Sequence, residues 1–518
     1  MHLVLLHGYL LQGTGSNVYV ANIAKAWCAL GHAVTVICQD RAAGGLPFVD
    51  EFVGPGDRVK KEAPHPGRMR VVVPDINDLL PVYVMDRYDG FDVKTIPEMT
   101  ADEIDTHIDM TAAALRAVAA QGVDRVLANH VMLGPVIASR ALDGTEIPYD
   151  VKIHGSAIEY TLVPNPRFMP VAVEGLGGAQ KIFVGSAYVR DRVLEVFESE
   201  PMLRIRDRIR VVPPGMDPDL FRLETDSAAS RARFLTAVQQ MIVENGSGRR
   251  TGQVPPASEV PSGEYHQTLV SLGDTYDQRA VDADLPDRLP RIEVDEPIVL
   301  YFGKFLAAKG VGELMMAAPA ILERVPQARV VFVGFGSYRE HLEGMLQGFV
   351  AGDRDQVAAC AAAGEFAVET DVDRWFRPIS SDEARRITTT GILDHRALSE
   401  LLPTASVSVV PSKWPEAFGM VAVEAMAAGV LPLCNYHAGL RDVVDEVAKT
   451  LPDVSQLMRL DRESFAAQLP AKVEAALGYL YPEGFDRHGH RREVGRQLRQ
   501  VSVGSFSWEG IGERLLRG

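Results

Sequence analysis

The chain has 518 residues, 47% of them hydrophobic, and a formal net charge of −16. That length exceeds what one hydrophobic core usually organises, so two domains are expected, and the acidic balance argues against nucleic acid as a main partner and offers no attraction to anionic lipid. Four scattered cysteines, Cys28, Cys38, Cys360 and Cys434, lack metal-ligand spacing and fit a reducing cytoplasm, while an opening LVLL without a basic leader and the lack of an apolar run near ~18 residues argue against a transmembrane segment and leave peripheral membrane contact open.

Residues 3–6 read as an apolar strand, followed by His7-Gly8-Tyr9, a loop to residue 16, a helical pattern over 18–30 and a second strand over 33–38. Gly31 stands where helices favour glycine as a stop. The loop holds Gly13-Thr14-Gly15, but position 18 is valine, so the dinucleotide pattern GxGxxG fails, and on its own the loop reads as a tight turn. Strand patterns recur at 70–73, 125–128, 149–153, 181–184 and 208–212, with helical patterns such as 104–120 and 187–197 between several of them. This alternation predicts a parallel, doubly wound sheet. His154-Gly155-Ser156 follows one strand directly, at the edge where open α/β sheets bind ligands; Asn129-His130 ends another in the same way. Ser186 suits a helix N-cap, and the proline within Asp217-Pro218-Asp219 favours a turn over a metal site.

Between residues 222 and 295 periodicity is lost, and 244–264 is rich in Gly, Pro and Ser, which predicts a flexible surface loop; helical flanks over 228–243 and 267–283 allow a small insertion subdomain. A second extra stretch, 348–390, carries no site pattern. The later half reads as a strand over 297–302, the loop GKFLAAKG over 303–310, a helix over 312–324, a strand over 329–333 and the turn Gly334-Phe335-Gly336-Ser337. An apolar run over 407–410 then enters PSKWPEAFGMVAVEAMAAG, residues 411–429. Glu416 lies in its loop and Glu424 in an all-apolar helix that starts near Gly419 and Met420. Such a helix is normally buried, and a buried carboxylate needs hydrogen-bond partners. With free helix N–H groups facing Glu416, the stretch suits an anion and hydroxyl groups together.

The spacing Glu416, seven residues, Glu424, with PS before it, FG inside it and EAMAAG after it, resembles the signature of retaining glycosyltransferase family 4 (glycosyl transferases group 1). Other segments are similar to the family in the same order: GTGSNVYVANIAKAWCALGHAVTVI at the start, VVPPGMD over 211–217 with Pro214 where asparagine is usual, GKFLAAKG with Lys304 replacing an arginine, VGFG over 333–336, GILDHRALSELL over 391–402, and HAGL over 437–440. The lysine forgoes a planar bidentate grip.

The resemblance implies the α/β GT-B fold, two facing Rossmann-like domains with an interdomain cleft. Its expected divisions are an acceptor-side domain over 1–222, a linker or insertion over 223–295, a donor domain over 296–490, and a closing helix over 491–518 that crosses back. It implies transfer of a hexosyl group from a nucleotide-diphosphate sugar to a hydroxyl acceptor, with retention, in the cytoplasm, without metal or cofactor. By the same resemblance His154, Glu416, Lys304 and Lys309 are catalytic; Gly13, Gly15, Gly336, Phe418, Gly419, Met420 and Glu424 bind the donor; Ile392 and Leu393 approach the base; and Asn129 and His130 line the cleft. A nucleotide-sugar epimerase of the same fold and a non-catalytic nucleotide-sugar-binding protein are the alternatives. The failed GxGxxG disfavours a nicotinamide oxidoreductase. Donor base, acceptor and oligomeric state stay unassigned.

Overall fold

Strands buried on both faces need apolar side chains at every position rather than at alternate ones; IVLYF meets that condition along its whole length, and HLVLL and AVTVI depart from it only at His2 and Thr35, which hydrogen-bond each other at 2.9 Å. The computed structural model describes all residues except 14, 84–87, 89, 224–225, 247–253, 262, 275–280, 289–295, 363–371 and 484–486. The chain divides into one unit of Met1–Gly215 with Phe506–Gly518, and a second of Met216–Ser505.

The first unit contains β1 (His2–Leu6), β2 (Ala33–Ile37), β3 (Glu51–Val53), β4 (Met69–Val72), β5 (Leu79–Val82), β6 (Asp92–Thr95), β7 (Arg125–Asn129), β8 (Tyr149–Ile153), β9 (Ile182–Val184) and β10 (Ile209–Val211). Its main sheet runs β10-β9-β8-β7-β1-β2-β4-β3, and β5 and β6 pair separately. Every pairing is parallel. On one face the helix Ser16–Ala29 buries Tyr19, Val20, Ile23, Ala24 and Trp27, and the final helix Trp508–Arg517 adds Ile511 and Leu515 to the same core. Trp27 Nε1 donates to Gly512 O at 3.1 Å. The ring of Trp508 lies so close to Gly215 that an added Cβ would sit 2.6 Å from it; Trp508 is a packing residue.

The second unit contains β11 (Ile298–Phe302), β12 (Arg329–Val333), β13 (Ile387–Thr389), β14 (Val407–Val410), β15 (Leu431–Asn435) and β16 (Arg459–Leu460). They form one parallel sheet in the order β13-β12-β11-β14-β15-β16. The chain winds outward from β11 in one direction and then from β14 in the other, so the strand order reverses between them. Ligands of such sheets bind beyond the carboxyl ends at that reversal.

Several expectations shift. The expected linker over 223–295 is part of the second unit: Arg233 Nε, in the helix Ser227–Asn245, donates to Glu400 at 2.8 Å, and Val281 makes an antiparallel bridge to Gly391. Much of the expected flexible loop, 247–253 and 262, lies outside the described residues. The stretch 348–390 hides β13, whose ITT is too short to show a period; part of it, 363–371, is also outside the described residues. The closing segment is two helices, not one. Arg487–Phe506 belongs to the second unit, where Arg499 donates to Ala427 O at 2.7 Å and Pro218 O at 2.8 Å, and the return to the first unit comes at Phe506. The first boundary falls at 215 rather than 222 because Met216 onward packs with the second unit. Among the described residues no helix is long and apolar enough to cross a membrane.

One contact tests the packing of the first unit. Gly175, in the helix Met169–Gly177, presses on the helix Leu133–Leu142 so closely that a Cβ would lie 2.6 Å from Val136 N and 2.7 Å from Pro135 Cβ. Gly175→Ala is expected to cost roughly 1–3 kcal/mol through overpacking, read as a lowered melting temperature.

Candidate functional site

In the second unit three loops meet at the carboxyl edge of the sheet. The loop 303–310 leaves β11, the loop 411–419 leaves β14, and 436–439 leaves β15. Main-chain bonds join them: Lys413 N and Trp414 N both donate to Ala308 O at 2.9 and 3.0 Å, and Gly439 N donates to Glu416 O at 2.9 Å. Asn435 Nδ2 and His437 Nε2 converge on Ser412 O at 3.0 and 2.7 Å. There is no room for side chains at the closest points. Gly310 has φ 70°, and a Cβ there would overlap Pro411 O.

Lys309 and Glu416 close this wall with an ion pair, Nζ to Oε1 at 2.5 Å, both side chains about a quarter to a third exposed (32% and 24%). Beneath it lies a second pair, Lys413 with Glu313 at 2.6 Å, almost wholly buried. Glu313 sits in the first turn of the helix Val311–Arg324, where a negative charge is favoured by the helix dipole. Lys304 stands apart: its side chain is exposed, and its carbonyl accepts from Tyr301 Oη at 2.8 Å.

The helix Met420–Ala427 begins at Gly419, with φ 158°. A Cβ at Gly419 would lie 2.7 Å from Leu440 Cδ2. Phe418 is buried and Met420 half-buried. Glu424, one turn in, is half-buried among the apolar residues of its helix, and desolvation pushes its carboxyl up to about 8. The anticipated partners of this acid are therefore not supplied by the described residues. Gly336 (φ 144°) follows β12, and a Cβ there would overlap Phe305 O, so its glycine answers first to backbone crowding. After β13, Ile392 is half-buried and Leu393 is buried.

The first unit gathers a different set at its own carboxyl edge. Gly13 (φ 104°) and Gly15 (φ 60°) lie in the loop after β1, and a Cβ at Gly15 would meet nothing within 4 Å. His154 follows β8; its Nε2 is 2.9 Å from Asn129 Oδ1, and Asn129 Nδ2 donates to Leu6 O. Its ring centroid is 5.0 Å from both Tyr19 and His130. His130 has φ 71°, a strained conformation for a residue with a side chain, of a kind that clusters at functional sites. Sequence reasoning missed His7, which lies 5.9 Å from His130, ring to ring, and bonds Asn17 Oδ1 at 3.0 Å. It also missed Lys152, buried in β8 with Nζ donating to Val212 O at 2.6 Å and its pKa lowered to about 7 by desolvation. The strand-to-histidine junction that marks His154 also marks His7; nothing local marks Lys152. Thus Lys309, Glu416, Phe418, Gly419, Met420 and Glu424 form one group and His154, Asn129 and His130 another, each in its own unit.

Two family descriptions match the sequence: "Glycosyl transferase 4-like domain" over residues 14–215 and "Glycosyl transferases group 1" over 374–451. A D-inositol 3-phosphate glycosyltransferase of Xylanimonas cellulosilytica is 25% identical over 455 residues, 85% of this chain and 79% of the relative. An uncharacterized glycosyltransferase of Methanocaldococcus jannaschii is 28% identical, but the match spans only 30% of this chain and 30% of that protein. Among solved structures, a sucrose-phosphate synthase from Thermosynechococcus elongatus superposes with a TM-score of 0.57 at 18% identity, covering 100% of this chain and 97% of the other. The chain therefore belongs to the glycosyltransferases of GT-B fold, with a glycosyl transferase 4-like domain in its first unit and a group 1 domain in its second.

Proposed function

We propose that the protein is a retaining, metal-independent glycosyltransferase that moves a hexosyl group from a nucleotide-diphosphate sugar to a hydroxyl acceptor, acting in the cytoplasm. The observation that carries this reading is the Lys309–Glu416 pair set at the strand-order reversal, beside the start of a helix whose carboxyl, one turn in, lacks partners among the described residues. Lys309, Lys304 and the N–H groups at the start of the helix Met420–Ala427 stabilise the diphosphate as it departs and gains charge, an electrostatic contribution to the barrier. Glu416 and the backbone of residues 418–420 orient the hexose, Glu424 accepts the ribose hydroxyls, and His154 and the Gly13–Gly15 loop serve the sugar and phosphates from the first unit. The acceptor oxygen bonds the anomeric carbon on the face from which the diphosphate leaves. The acceptor's proton passes to the departing phosphate oxygen, so configuration is retained.

A thermal-shift screen of nucleotides and nucleotide sugars is expected to find a stabilising nucleoside diphosphate, and the product of its sugar with an acceptor is expected to keep the donor's anomeric coupling by NMR. Inversion, or conversion of the sugar with donor alone as an epimerase would give, refutes the proposal. Lys309→Ala should lower kcat by roughly 10²-fold.

Glu424 gives a pH test whose sign is determinate. Its free-state pKa near 8 means the carboxyl is mostly protonated at pH 7, whereas ribose hydroxyls donate to the ionised form and favour it. Nucleotide binding at pH 7 is then expected to release about one proton, measured by calorimetry in buffers of different ionisation enthalpy, and affinity should rise with pH until about 8. Glu424→Ala should abolish both binding and proton release while the protein stays folded; unchanged affinity removes the ribose role.

A further inference from the structure

The bond between Asn129 and Leu6 determines more than the position of a side chain. Asn129 Nδ2 lies 3.1 Å from Leu6 O, and a main-chain carbonyl can only accept a hydrogen bond, so the amide must present its NH2 end to β1. The oxygen Oδ1 is thereby turned to His154, 2.9 Å from Nε2. An amide oxygen accepts, so Nε2 carries the hydrogen. A neutral imidazole has one such hydrogen, which leaves a lone pair on Nδ1.

The surroundings keep the ring neutral. Among the described residues the groups that face it are Asn129, His130, Lys152, His7 and Tyr19, none of them an acid able to stabilise an imidazolium. Burial and these neighbours hold His154 well below the usual histidine range. His7 shows the same device: its Nε2 meets Asn17 Oδ1 at 3.0 Å, and Asn17 Nδ2 is spent on Gln12 O at 2.8 Å. The two differ at the other nitrogen. His7 Nδ1 is sealed from solvent, whereas His154 is half-buried and its Nδ1 is not sealed.

We propose that Asn129 is a positioning residue that locks His154 in the Nε2–H form, making the open Nδ1 a hydrogen-bond acceptor that selects a sugar presenting a hydroxyl there and rejects one presenting a carboxylate. The selection rests on the reading of His154 as a residue beside the transferred sugar; the tautomer does not. A sugar hydroxyl donates to the Nδ1 lone pair. A carboxylate oxygen, which only accepts, meets that lone pair with no hydrogen between them, so the donor class is a neutral hexose rather than a hexuronate.

Long-range 1H–15N spectra of protein labelled at histidine, with His154 assigned by its loss in His154→Gln, read the tautomer directly. At pH 7 the Nε2–H form is expected in the native protein. Asn129→Asp sets a carboxylate against Nε2 and should raise the protonation midpoint of His154 by at least one pH unit, while unchanged His7 signals report that the fold is intact. Asn129→Ala should release the ring into a mixture of tautomers. A native Nδ1–H form, an imidazolium at pH 7, or a His154 signal unmoved in both variants overturns the proposal. For the selection, competition binding compares UDP-glucose with UDP-glucuronate and GDP-mannose with GDP-mannuronate. The neutral sugar should bind at least tenfold tighter to the native protein, with the gap at least tenfold narrower in Asn129→Asp; equal binding overturns the selection. Binding of neither pair, or full transfer by His154→Ala, defeats the reading of the site and leaves the spectra to decide the role of Asn129.

Discussion

The second unit depends on how closely its backbone loops approach one another beyond the sheet. Gly334, with φ 150°, donates to Gly391 O at 3.1 Å, and a Cβ on it would overlap Gly303 O. Gly310 stands in the same relation to Pro411, and Gly439 to the backbone of Phe418. Glycine is required where chains come this near, and at Gly334 and Gly310 the positive φ adds to the demand. The result is a wall whose exposed groups are main-chain donors and the few long side chains that rise from it, chiefly Lys309 and Glu416. Their ion pair is a consequence of loop geometry: Lys309 is held by the turn that ends at Gly310, and Glu416 by its carbonyl bond to Gly439.

Charge is distributed accordingly. A partly exposed pair such as Lys309–Glu416 contributes little to stability, whereas the nearly buried Lys413–Glu313 pair would leave an uncompensated charge if one partner were lost. The deeper pair therefore anchors the loop 411–419 to the helix Val311–Arg324, and the outer pair is the one that can exchange partners. On the proposed reading, a diphosphate arriving at Lys309 competes with Glu416 for the ammonium, and the freed carboxylate is available to sugar hydroxyls. One ligand thereby satisfies both halves of the pair.

Much of this was legible in the sequence because it is carried by local pattern. Continuous apolar runs announced β1, β2, β11, β12 and β14, and the eight-residue interval from Glu416 to Glu424 announced the helix with its displaced acid. The elements that escaped have weak local signals. β13 is three residues long and rich in threonine, β3 is equally short and exposes Phe52, and β6 carries charge at the exposed Asp92; tertiary pairing, not propensity, makes them strands. The closing segment misled because its polar helix Arg487–Phe506 has no periodicity that reveals which unit its arginines serve. Pairings across long intervals, such as Lys309 with Glu416 and Asn129 with Leu6, are products of topology and could be anticipated only as residues sharing an edge. Where the motif resemblance assigned Gly336 and Leu393 to the donor, the structure supplies competing packing reasons for both, crowding at Phe305 and burial in the core.

The two carboxyl edges also differ in kind, and the difference follows from what each sheet buries. The first unit sets His7, His130 and His154 around Tyr19 and Lys152 in a region so desolvated that the histidines are held neutral and the lysine is pushed down to about 7. Its polar atoms are oriented by amides and carbonyls rather than by counter-charges. The second unit instead presents ammonium, carboxylate and helix N–H groups. Each edge is thereby suited to its own kind of group: the first to uncharged polar groups, which oriented amides and imidazoles meet without a counter-charge, and the second to an anion and hydroxyl groups together.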